Sequence, residues 1–315
     1  MAAAEVPVVV EHRFRVMGSD GHVIVVGPPE QATRLAEHTA PRRLAGLEAH
    51  WSRFVPASDL CRLAAAEGDW CRVHPDTIAL VETMQAGSIA TVGRYDPTLA
   101  VHLAAAGHPS SAALPDRPRH LLAHHAGRSS IHDIEVDRRS GLVRTPAGLA
   151  LDPGGIGKGL AADLVAAELC AAGAAGALVG VGGDLAARGT PPDENGWMIV
   201  VEHPDEPGTV LGRIAIDGGG VATSSTRSSR WVVDGSEAHH VIDPDSGSPS
   251  TTDLAAVTVI APTGWQAEVH ATAALLEGSE GAVRHMEAWE LDGVAVALDG
   301  TRFATTALAH LGSAS

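Results

Sequence analysis

The chain has 315 residues, of which 45% are hydrophobic and 19% charged, a composition typical of a folded globular protein rather than a disordered one. Its net charge of −16 argues against binding nucleic acid or an anionic membrane through a broad basic face, but it leaves room for a local phosphate pocket. The longest uncharged apolar-rich run, residues 169–183, is too short and too rich in glycine to cross a bilayer.

The first third of the chain predicts a strand followed by helices. Its N-terminal stretch has no basic start, so we expect neither a signal peptide nor a lipid anchor, and a cytoplasmic location. Short apolar runs and helical spacing predict a strand at residues 22–26, helices at 29–50 (interrupted by Pro41) and 75–91, and a helix start at Ser58-Asp59. The three cysteines, Cys61, Cys71 and Cys170, form no C-x-x-C pair and are interpreted as reduced packing residues, with a Cys61–Cys71 disulfide as the alternative.

Residues 104–130 are rich in Ala, His, Pro and Ser and show no clear period, which favours a loop with a short helix. Five histidines in and beside this stretch suggest a metal site at first sight: His108, His120, His124, His125 and His132. Their spacing fits no standard ligand set, so a solvated loop is the favoured interpretation.

The remainder of the chain alternates strands with grouped helices. The predicted strands are 131–136, 177–181, 197–202, 210–216, 231–233, 239–242 and 257–260, with a closing hairpin of 294–298 and 301–305 joined through Asp299-Gly300. The predicted helices are 158–172, 263–276 and 280–288. This order favours an α+β fold over a doubly wound parallel sheet, and no linker divides the chain, so we expect a single domain.

Lys158 is the only lysine beside 21 arginines, and it lies in the glycine-rich stretch Leu151-Asp-Pro-Gly-Gly-Ile-Gly-Lys-Gly159. Glycines let backbone N–H groups approach a ligand, and the start of a helix favours phosphate. The spacing matches neither a Walker loop nor a Rossmann fingerprint. The stretch is therefore either an anion site or a turn that leads into a helix.

Four further segments carry residue types that could take part in chemistry. Val179-Gly-Val-Gly-Gly-Asp184 is typical of a tight turn, and Val221-Ala-Thr-Ser-Ser-Thr226 offers hydroxyls to a ligand. His240, beside Asp-Pro at a strand end, is either a general base or a structural histidine. Glu268 and Thr272 lie one helical turn apart, where they either face a hard cation such as Mg²⁺ or simply face solvent and pack.

Taken in order, these segments resemble the FAD:protein FMN transferase (ApbE-type) family over nearly the whole chain. The stretches that carry the resemblance are Phe14-Arg-Val-Met-Gly-Ser19, Trp51-Ser-Arg-Phe54, Ser58-Asp-Leu-Cys-Arg-Leu63, Tyr95-Asp-Pro-Thr98, Asp152 to Gly159, Gly182-Gly-Asp184, Thr223-Ser224, His240-Val-Ile-Asp-Pro244 with Gly247, and Ala267 to Thr272. The resemblance implies one α+β domain over residues 1–315, with a core of roughly residues 12–310. The implied fold is an alpha-beta roll similar to the T-fold, with largely antiparallel sheets flanked by helices.

The resemblance also implies an activity. Such enzymes bind FAD with Mg²⁺ and transfer its FMN half to a Thr or Ser hydroxyl of a target protein, with release of AMP. The alternatives are an Mg²⁺-dependent FAD pyrophosphatase that yields FMN and AMP, and a non-catalytic FAD-binding protein. The partners implied are FAD and a flavin-acceptor protein.

The resemblance assigns roles residue by residue. Residues expected to line the flavin and adenosine pocket are Met17, Phe54, Arg94, Tyr95 and Asp96. Those expected near the ribose or pyrophosphate are Asp152 and Lys158, with Ile242 a further FAD contact. The implied Mg²⁺ ligands are the carbonyl of Gly155, the carboxylate of Glu268 (where the family usually has Asp) and the hydroxyl of Thr272, and the implied base is His240.

Overall fold

The computed structural model describes residues 6–108, 130–206, 208–233 and 235–312. The expected loop at residues 104–130, with His120, His124 and His125, therefore lies largely outside the described residues. Among the described residues, helices and antiparallel strands both contribute to the fold, which confirms the α+β prediction.

The largest sheet in the described ranges has eight strands. They are β1 (Val8–Val16), β2 (Ser19–Gly27), β6 (Gly176–Val181), β7 (Asp184–Gly189), β10 (Gly219–Ser225), β15 (Leu254–Ala261), β16 (Asp292–Ala297) and β17 (Arg302–Ala304), and they neighbour one another in that order. Every neighbouring pair is antiparallel. Short turns join β1 to β2, β6 to β7 and β16 to β17, whereas longer stretches that carry helices or smaller sheets join the other neighbours.

Smaller sheets and the helices surround this large sheet. The remaining strands are β3 (Cys71–Arg72), β4 (Glu135–Asp137), β5 (Leu142–Arg144), β8 (Trp197–Glu202), β9 (Val210–Ile216), β11 (Arg230–Val233), β12 (Ser236–His239), β13 (Ile242–Asp243) and β14 (Ser248–Pro249). The α-helices are α1 (Pro29–Arg34), α2 (Ala40–Trp51), α3 (Asp59–Ala65), α4 (Pro75–Ala90), α5 (Ala100–Ala105), α6 (Gly157–Ala171), α7 (Gly264–Leu276), α8 (Gly278–Ala288) and α9 (Ala309–Gly312). Within the described ranges, two 3₁₀ turns, Ile131–Asp133 and Thr306–Leu308, and a π-helical turn, Leu35–Thr39, complete the set of elements.

Both faces of the large sheet are covered, as alternate residues of β2 demonstrate. Val23 and Val25 are fully buried in a core that includes residues of α2, α4 and α6. Ile24 and Val26 point to the other face, where they join a core built with Trp197 of the β8–β9 hairpin. Because side chains alternate along a strand, one apolar run of sequence supplies both cores.

Most predicted elements form close to their expected bounds, and 197–202 and 210–216 form with the bounds predicted. The predicted helix at 29–50 is continuous through Pro41, which occupies the first turn of α2. A proline is tolerated there because its missing N–H is not required, and the π-helical turn before it absorbs the irregularity.

Two strand predictions were wrong. Residues 131–133 form a 3₁₀ turn because Ser130 and Asp133 cap each other's backbone N–H groups, and the strand begins only at Glu135. The run 239–242 is not one strand: β12 ends at His239 and β13 begins at Ile242. His240 therefore lies in the turn between them rather than within a ladder.

Candidate functional site

A glycine-rich turn places Lys158 in the first turn of α6. Within it, Gly155 has a φ of 81°, in the left-handed region where a side chain is strained. Oδ1 of Asp152 accepts a hydrogen bond from the backbone N–H of Gly154 at 2.9 Å. Oδ2 of Asp152 also pairs with Arg53, at 2.9 Å from Nη1. The turn is thus held from within and from the loop that follows α2.

Lys158 forms an ion pair with Asp184, the first residue of β7. The carboxylate side chain is only 3% exposed, whereas the lysine side chain is 34% exposed and so partly accessible to solvent. Oδ1 of Asp184 accepts a hydrogen bond from the backbone N–H of Thr223 at 3.3 Å. Burial lowers the pKa of Lys158, but the carboxylates of Asp184 and Glu268 outweigh burial and raise that pKa above its usual range. Lys158 therefore remains a cation at neutral pH.

Glu268 reaches the same region from α7 and is 3% exposed. Its Oε2 accepts a hydrogen bond from the backbone N–H of Gly159 at 2.7 Å. Its Oε1 is buried and has no hydrogen-bond partner among the described residues. Burial and repulsion by Asp184 raise the pKa of Glu268 well above its usual range, although Lys158 and the Gly159 N–H oppose them. A buried carboxylate oxygen with no partner calls for a cation or a donor.

Thr272 lies one turn further along α7, next to Gly155. A Cβ atom added to Gly155 would lie 3.5 Å from Oγ1 of Thr272 and 3.3 Å from the ring of Tyr95. The Thr272 hydroxyl donates to the carbonyl of Glu268 at 3.2 Å. It also lies 2.9 Å from the hydroxyl of Ser224 on β10. The three residues implied as metal ligands are thus brought to one place.

Close backbone contact fixes α6, α7 and β10 against one another. A Cβ on Gly159 would lie 2.4 Å from the carbonyl oxygen of Gly264, and one on Gly220 would lie 2.3 Å from the Gly264 nitrogen. Asp163 on α6 accepts hydrogen bonds from the N–H groups of Gly264 and Trp265, at 2.8 and 3.0 Å. Glycine at these positions and the Asp163 cap together set the position of α7 and of its carboxylate.

His240 is half-buried, and its Nδ1 lies 3.3 Å from the carbonyl oxygen of Ser228. A carbonyl only accepts, so Nδ1 carries the hydrogen and Nε2 keeps a free lone pair. Burial, helped by the charge of Lys158, lowers the pKa of His240 to about 4, against the opposing effects of the Ser228 carbonyl and Asp152. The imidazole is therefore neutral at pH 7, and its pKa lies below the near-neutral value assumed from the sequence.

The hairpin turn between β1 and β2, which contains Met17, lies close to Lys158. Met17 and Gly18 have φ angles of 51° and 68°, the pair of positive values typical of two-residue hairpin turns. The backbone N–H of Gly182 donates to the carbonyl of Asp20 at 2.9 Å. A Cβ on Gly182 would lie 3.5 Å from Cδ of Lys158. Met17 adopts a strained backbone conformation, a feature that clusters at functional sites.

The two predicted aromatic contacts differ in exposure. Phe54 is 46% exposed, and the Arg53 guanidinium lies 4.8 Å from its ring centroid. Since Arg53 also pairs with Asp152, an exposed ring lies beside the glycine-rich turn. Tyr95 is 3% exposed, and its hydroxyl has no partner among the described residues.

The other three predicted FAD contacts are engaged within the protein. Asp96 accepts hydrogen bonds through Oδ1 from the N–H and the hydroxyl of Thr98, at 2.8 and 2.7 Å. Ile242 is buried in a small cluster with Leu103 and Trp231. Arg94 binds two other chain segments at once, at Leu276–Glu277 and at Asp245.

Sequence reasoning singled out Lys158, Gly155, Glu268, Thr272 and His240. The structure brings the first four together, and His240 lies near enough for the charges of Lys158 and Asp152 to affect its pKa. It gave no role to Asp184, Arg53 or Asp163, and it named Ser224 only within a cluster of hydroxyls that could meet a ligand. The Gly-Gly-Asp and Thr-Ser motifs were the available signals for Asp184 and Ser224. Their partners could not be read from spacing, because Lys158 and Thr272 are distant in sequence.

The residues present fit a hard cation. Glu268 offers a buried carboxylate oxygen with no hydrogen-bond partner among the described residues, Thr272 offers a hydroxyl, and the backbone of Gly155 lies beside that hydroxyl. All three are oxygen donors, the kind that Mg²⁺ prefers, and a site with a single carboxylate leaves positions for water and phosphate.

Known proteins are similar to this chain in sequence and in fold. A model of the ApbE family matches residues 17–298. The chain belongs to the ApbE family. Solved ApbE structures share its fold: an ApbE protein from Thermotoga maritima has a TM-score of 0.84 at 22% identity, and covers 98% of this chain and 100% of its own. The apo form of the Pseudomonas stutzeri flavinyl transferase ApbE has a TM-score of 0.81 at 27% identity, over all of both chains.

Curated ApbE relatives are similar over shorter stretches. The FAD:protein FMN transferase of Klebsiella pneumoniae (strain 342) is 34% identical over 157 residues, which is 49% of this chain and 45% of that protein. The FAD:protein FMN transferase of Rhodobacter capsulatus is 26% identical over 277 residues, 86% of this chain and 52% of its own length. The matched part thus spans about half the length of these relatives.

Two further observations concern the chain as a whole. Across the described ranges, no helix is both long and apolar enough to cross a membrane. Cys61, Cys71 and Cys170 are free thiols, so the alternative of a Cys61–Cys71 disulfide is not realised.

Proposed function

We propose that the protein transfers the FMN half of FAD to a Thr or Ser hydroxyl of a target protein, with Mg²⁺, and releases AMP. The observation that carries this proposal is the convergence of Lys158 and the Gly155–Glu268–Thr272 oxygen donors on one region, with a neutral His240 near enough to interact electrostatically with Lys158. Relatives named FAD:protein FMN transferase support the same reaction.

The reaction breaks one bond of the diphosphate and forms one bond. The target hydroxyl oxygen attacks the phosphorus on the FMN side, the bond from that phosphorus to the bridging oxygen breaks, and AMP departs with the bridging oxygen. Such a transfer depends on charge neutralisation and in-line positioning more than on covalent help from the protein. Lys158 supplies a fixed positive charge, because its partner Asp184 holds it in place and keeps it protonated.

His240 has the protonation state that a base requires. Its Nδ1 is directed to the Ser228 carbonyl, so the free lone pair on Nε2 accepts the proton of the attacking hydroxyl. The proton passes to His240 as the new phosphoester bond forms. The imidazolium that results lies near the carboxylate of Asp152, which favours the charged form.

The metal would be held by the carbonyl of Gly155, the carboxylate of Glu268 and the hydroxyl of Thr272. When bound, Mg²⁺ supplies positive charge to the diphosphate oxygens. Glu268 replaces the Asp usual in the family, and its longer side chain is anchored through Oε2 to the N–H of Gly159. This anchor leaves Oε1 available for a cation.

FAD would lie along the wall that these residues form. We propose Met17, Phe54, Tyr95, Asp96 and Ile242 as contacts to the flavin and adenosine. Asp152 and Lys158 would lie at the ribose and diphosphate. The exposed ring of Phe54 and the unpartnered hydroxyl of Tyr95 support a ligand beside the glycine-rich turn.

A direct test incubates the chain with FAD and MgCl₂, with and without a flavin-acceptor domain from its own genome. Mass spectrometry follows an FMN adduct on that domain, and chromatography follows AMP. We expect an adduct with wild-type chain, little with His240→Gln or Lys158→Met, and a wild-type amount with His310→Gln, a variant of an exposed histidine on α9. AMP and free FMN without an adduct would favour an FAD pyrophosphatase, and bound FAD without AMP release would favour a binding protein.

A cytoplasmic site of action stays a prediction. The three free thiols support it, because cysteines in oxidising compartments usually form disulfides. Fractionation of the source cells, with immunodetection of the chain, tests the prediction directly.

A further inference from the structure

The guanidinium of Arg94 joins three segments that are far apart in sequence. Its Nε donates to the carboxylate of Glu277 at 2.8 Å, and its Nη2 donates to the carbonyl of Leu276 at 3.0 Å. Its Nη1 donates to Asp245 at 3.0 Å and lies 3.5 Å from the carboxylate of Asp243. The arginine side chain is only 24% exposed, so these contacts are partly shielded from water.

The first segment that Arg94 holds is the loop directly after His240. Asp243 organises this loop: its carbonyl accepts the N–H of Gly247 at 2.8 Å, and its Oδ1 accepts the N–H of Asp245 at 3.1 Å. The chain then returns, and the N–H of Ser250 donates to the carbonyl of Val241 at 2.9 Å. The position of residue 240 is thus tied to a small loop whose acidic face meets Arg94.

The second segment is the C-terminal end of α7, where Leu276 and Glu277 lie. This helix also carries Glu268 and Thr272, the proposed metal ligands. The third segment is the Arg94 loop itself, which continues into Tyr95 beside the glycine-rich turn. One cation therefore fixes the loop of the proposed base relative to the helix of the proposed metal ligands.

We infer that Arg94 is a positioning residue for His240 rather than a contact to FAD; this inference rests on the proposed function. Its Nε, Nη1 and Nη2 all donate to protein oxygens, and it is the cation shared by three carboxylates. Without it, Asp243, Asp245 and Glu277 would repel one another across the junction. The loop after His240 would then move away from α7.

The planar fork of arginine matters here. The rigid guanidinium of arginine donates to three acceptors that lie in different directions. The single ammonium of a lysine does not reproduce this geometry. Displacement of a reacting group by about 1 Å can cost about 100-fold in rate. Loss of Arg94 is therefore expected to act on kcat, through the base, and to leave FAD affinity nearly unchanged.

The test is a double-mutant cycle with Arg94→Gln and Asp243→Asn, assayed by FMN transfer. Asn at 243 keeps the oxygen that accepts the Asp245 N–H but removes the charge that faces Arg94. We expect Arg94→Gln to lower kcat by about 100-fold, with KM for FAD changed less than threefold and partial recovery in Arg94→Lys. The double variant should be no slower than the slower single variant, because both changes break one connection. Arg138→Gln, which removes an exposed ion pair with Glu82, is the matched control and should retain wild-type rates.

Independent losses that multiply in the double variant, together with a rise in KM for FAD, would overturn the inference and make Arg94 an FAD contact. A second readout needs neither FAD nor turnover. Hydrogen–deuterium exchange of the peptide covering residues 241–250 should be faster in Arg94→Gln and Arg94→Lys than in wild type, and unchanged exchange would refute the positioning role. If the wild-type chain forms no adduct, the proposed function fails, and the exchange result still decides whether Arg94 fixes this loop.

Discussion

Glu268 accepts a hydrogen bond from the backbone N–H of Gly159, the residue that directly follows Lys158. A carboxylate from α7 is thereby attached to the first turn of α6. The proposed metal ligand and the proposed diphosphate ligand share one rigid junction, and the close approach of Gly159, Gly220 and Gly264 makes that junction possible.

Gly159→Ala should destabilise the protein. The added Cβ would lie 2.4 Å from the carbonyl oxygen of Gly264, and the backbone there cannot easily move. We expect a loss of about 3 kcal/mol in the free energy of unfolding, measured by urea denaturation. Gly46→Ala is the matched control, because its Cβ meets nothing within 4 Å inside α2. It should gain about 0.5–1 kcal/mol, and equal losses in both variants would contradict the steric argument.

Glu268→Gln should remove the stabilisation that Mg²⁺ gives to the folded chain. The amide keeps an oxygen for the Gly159 N–H but no longer offers a negative charge to a cation. Thermal unfolding with increasing MgCl₂ should raise the melting temperature of wild type and leave that of Glu268→Gln unchanged. Glu280→Gln, in the first turn of α8, serves as control and should respond to Mg²⁺ as wild type does. A wild-type response in Glu268→Gln would place the metal elsewhere.

The pH dependence of transfer should reflect the lowered pKa of His240. Because that pKa is about 4 in the ligand-free chain, the imidazole stays neutral, and so competent as a base, well below pH 6. The profile of kcat/KM, which reports on the free enzyme, should show its acidic limb from this group near pH 4 rather than near pH 6.5. An acidic limb near pH 6.5 that disappears in His240→Gln would contradict the assigned environment.

Asp163→Asn should weaken the attachment of α7, and the loss should depend on pH. The carboxyl caps two N–H groups, and burial raises its pKa to about 6 in spite of them. A raised pKa means that the folded state binds the proton more tightly, so this group's contribution to stability falls as pH rises from about 4 to about 6. Since asparagine does not titrate, we expect a loss of about 1 kcal/mol at pH 4.5 that is smaller at pH 8. Urea denaturation at both pH values measures this difference, and a loss that grows with pH would contradict it.

The sequence predicted the fold class and indicated candidate site residues better than it predicted where strands end and which residues contact one another. Strand and helix periodicity located β8, β9 and α7 because their buried faces repeat regularly. It missed β1, whose outward residues include charges and whose position at the edge of the sheet leaves it only partly buried. It also ran one strand through His240, because the apolar pattern does not reveal that the ladder ends at His239.

Residue types indicated candidates for the site, while folding supplied their partners. Lys158 was conspicuous as the single lysine, but its ion pair with Asp184 crosses 26 positions and leaves no local pattern. The pKa of His240 depends on burial and on Lys158, neither of which can be read from neighbouring residues. Arg94, expected from the resemblance to contact FAD, bonds Glu277 and Asp245 in the structure, and no local pattern indicated these partners.

The solitary lysine has a practical consequence. Apart from the α-amino group, the chain has one primary amine, and it lies at the wall of the site beside Asp184. An amine-directed reagent therefore has a single internal target, and because Asp184 keeps that amine protonated, its acylation needs alkaline pH and long reaction times. A ligand whose anionic groups cover Lys158 would slow acylation in proportion to its binding, so labelling followed by peptide mass measurement becomes a titration of the pocket without any assay of turnover.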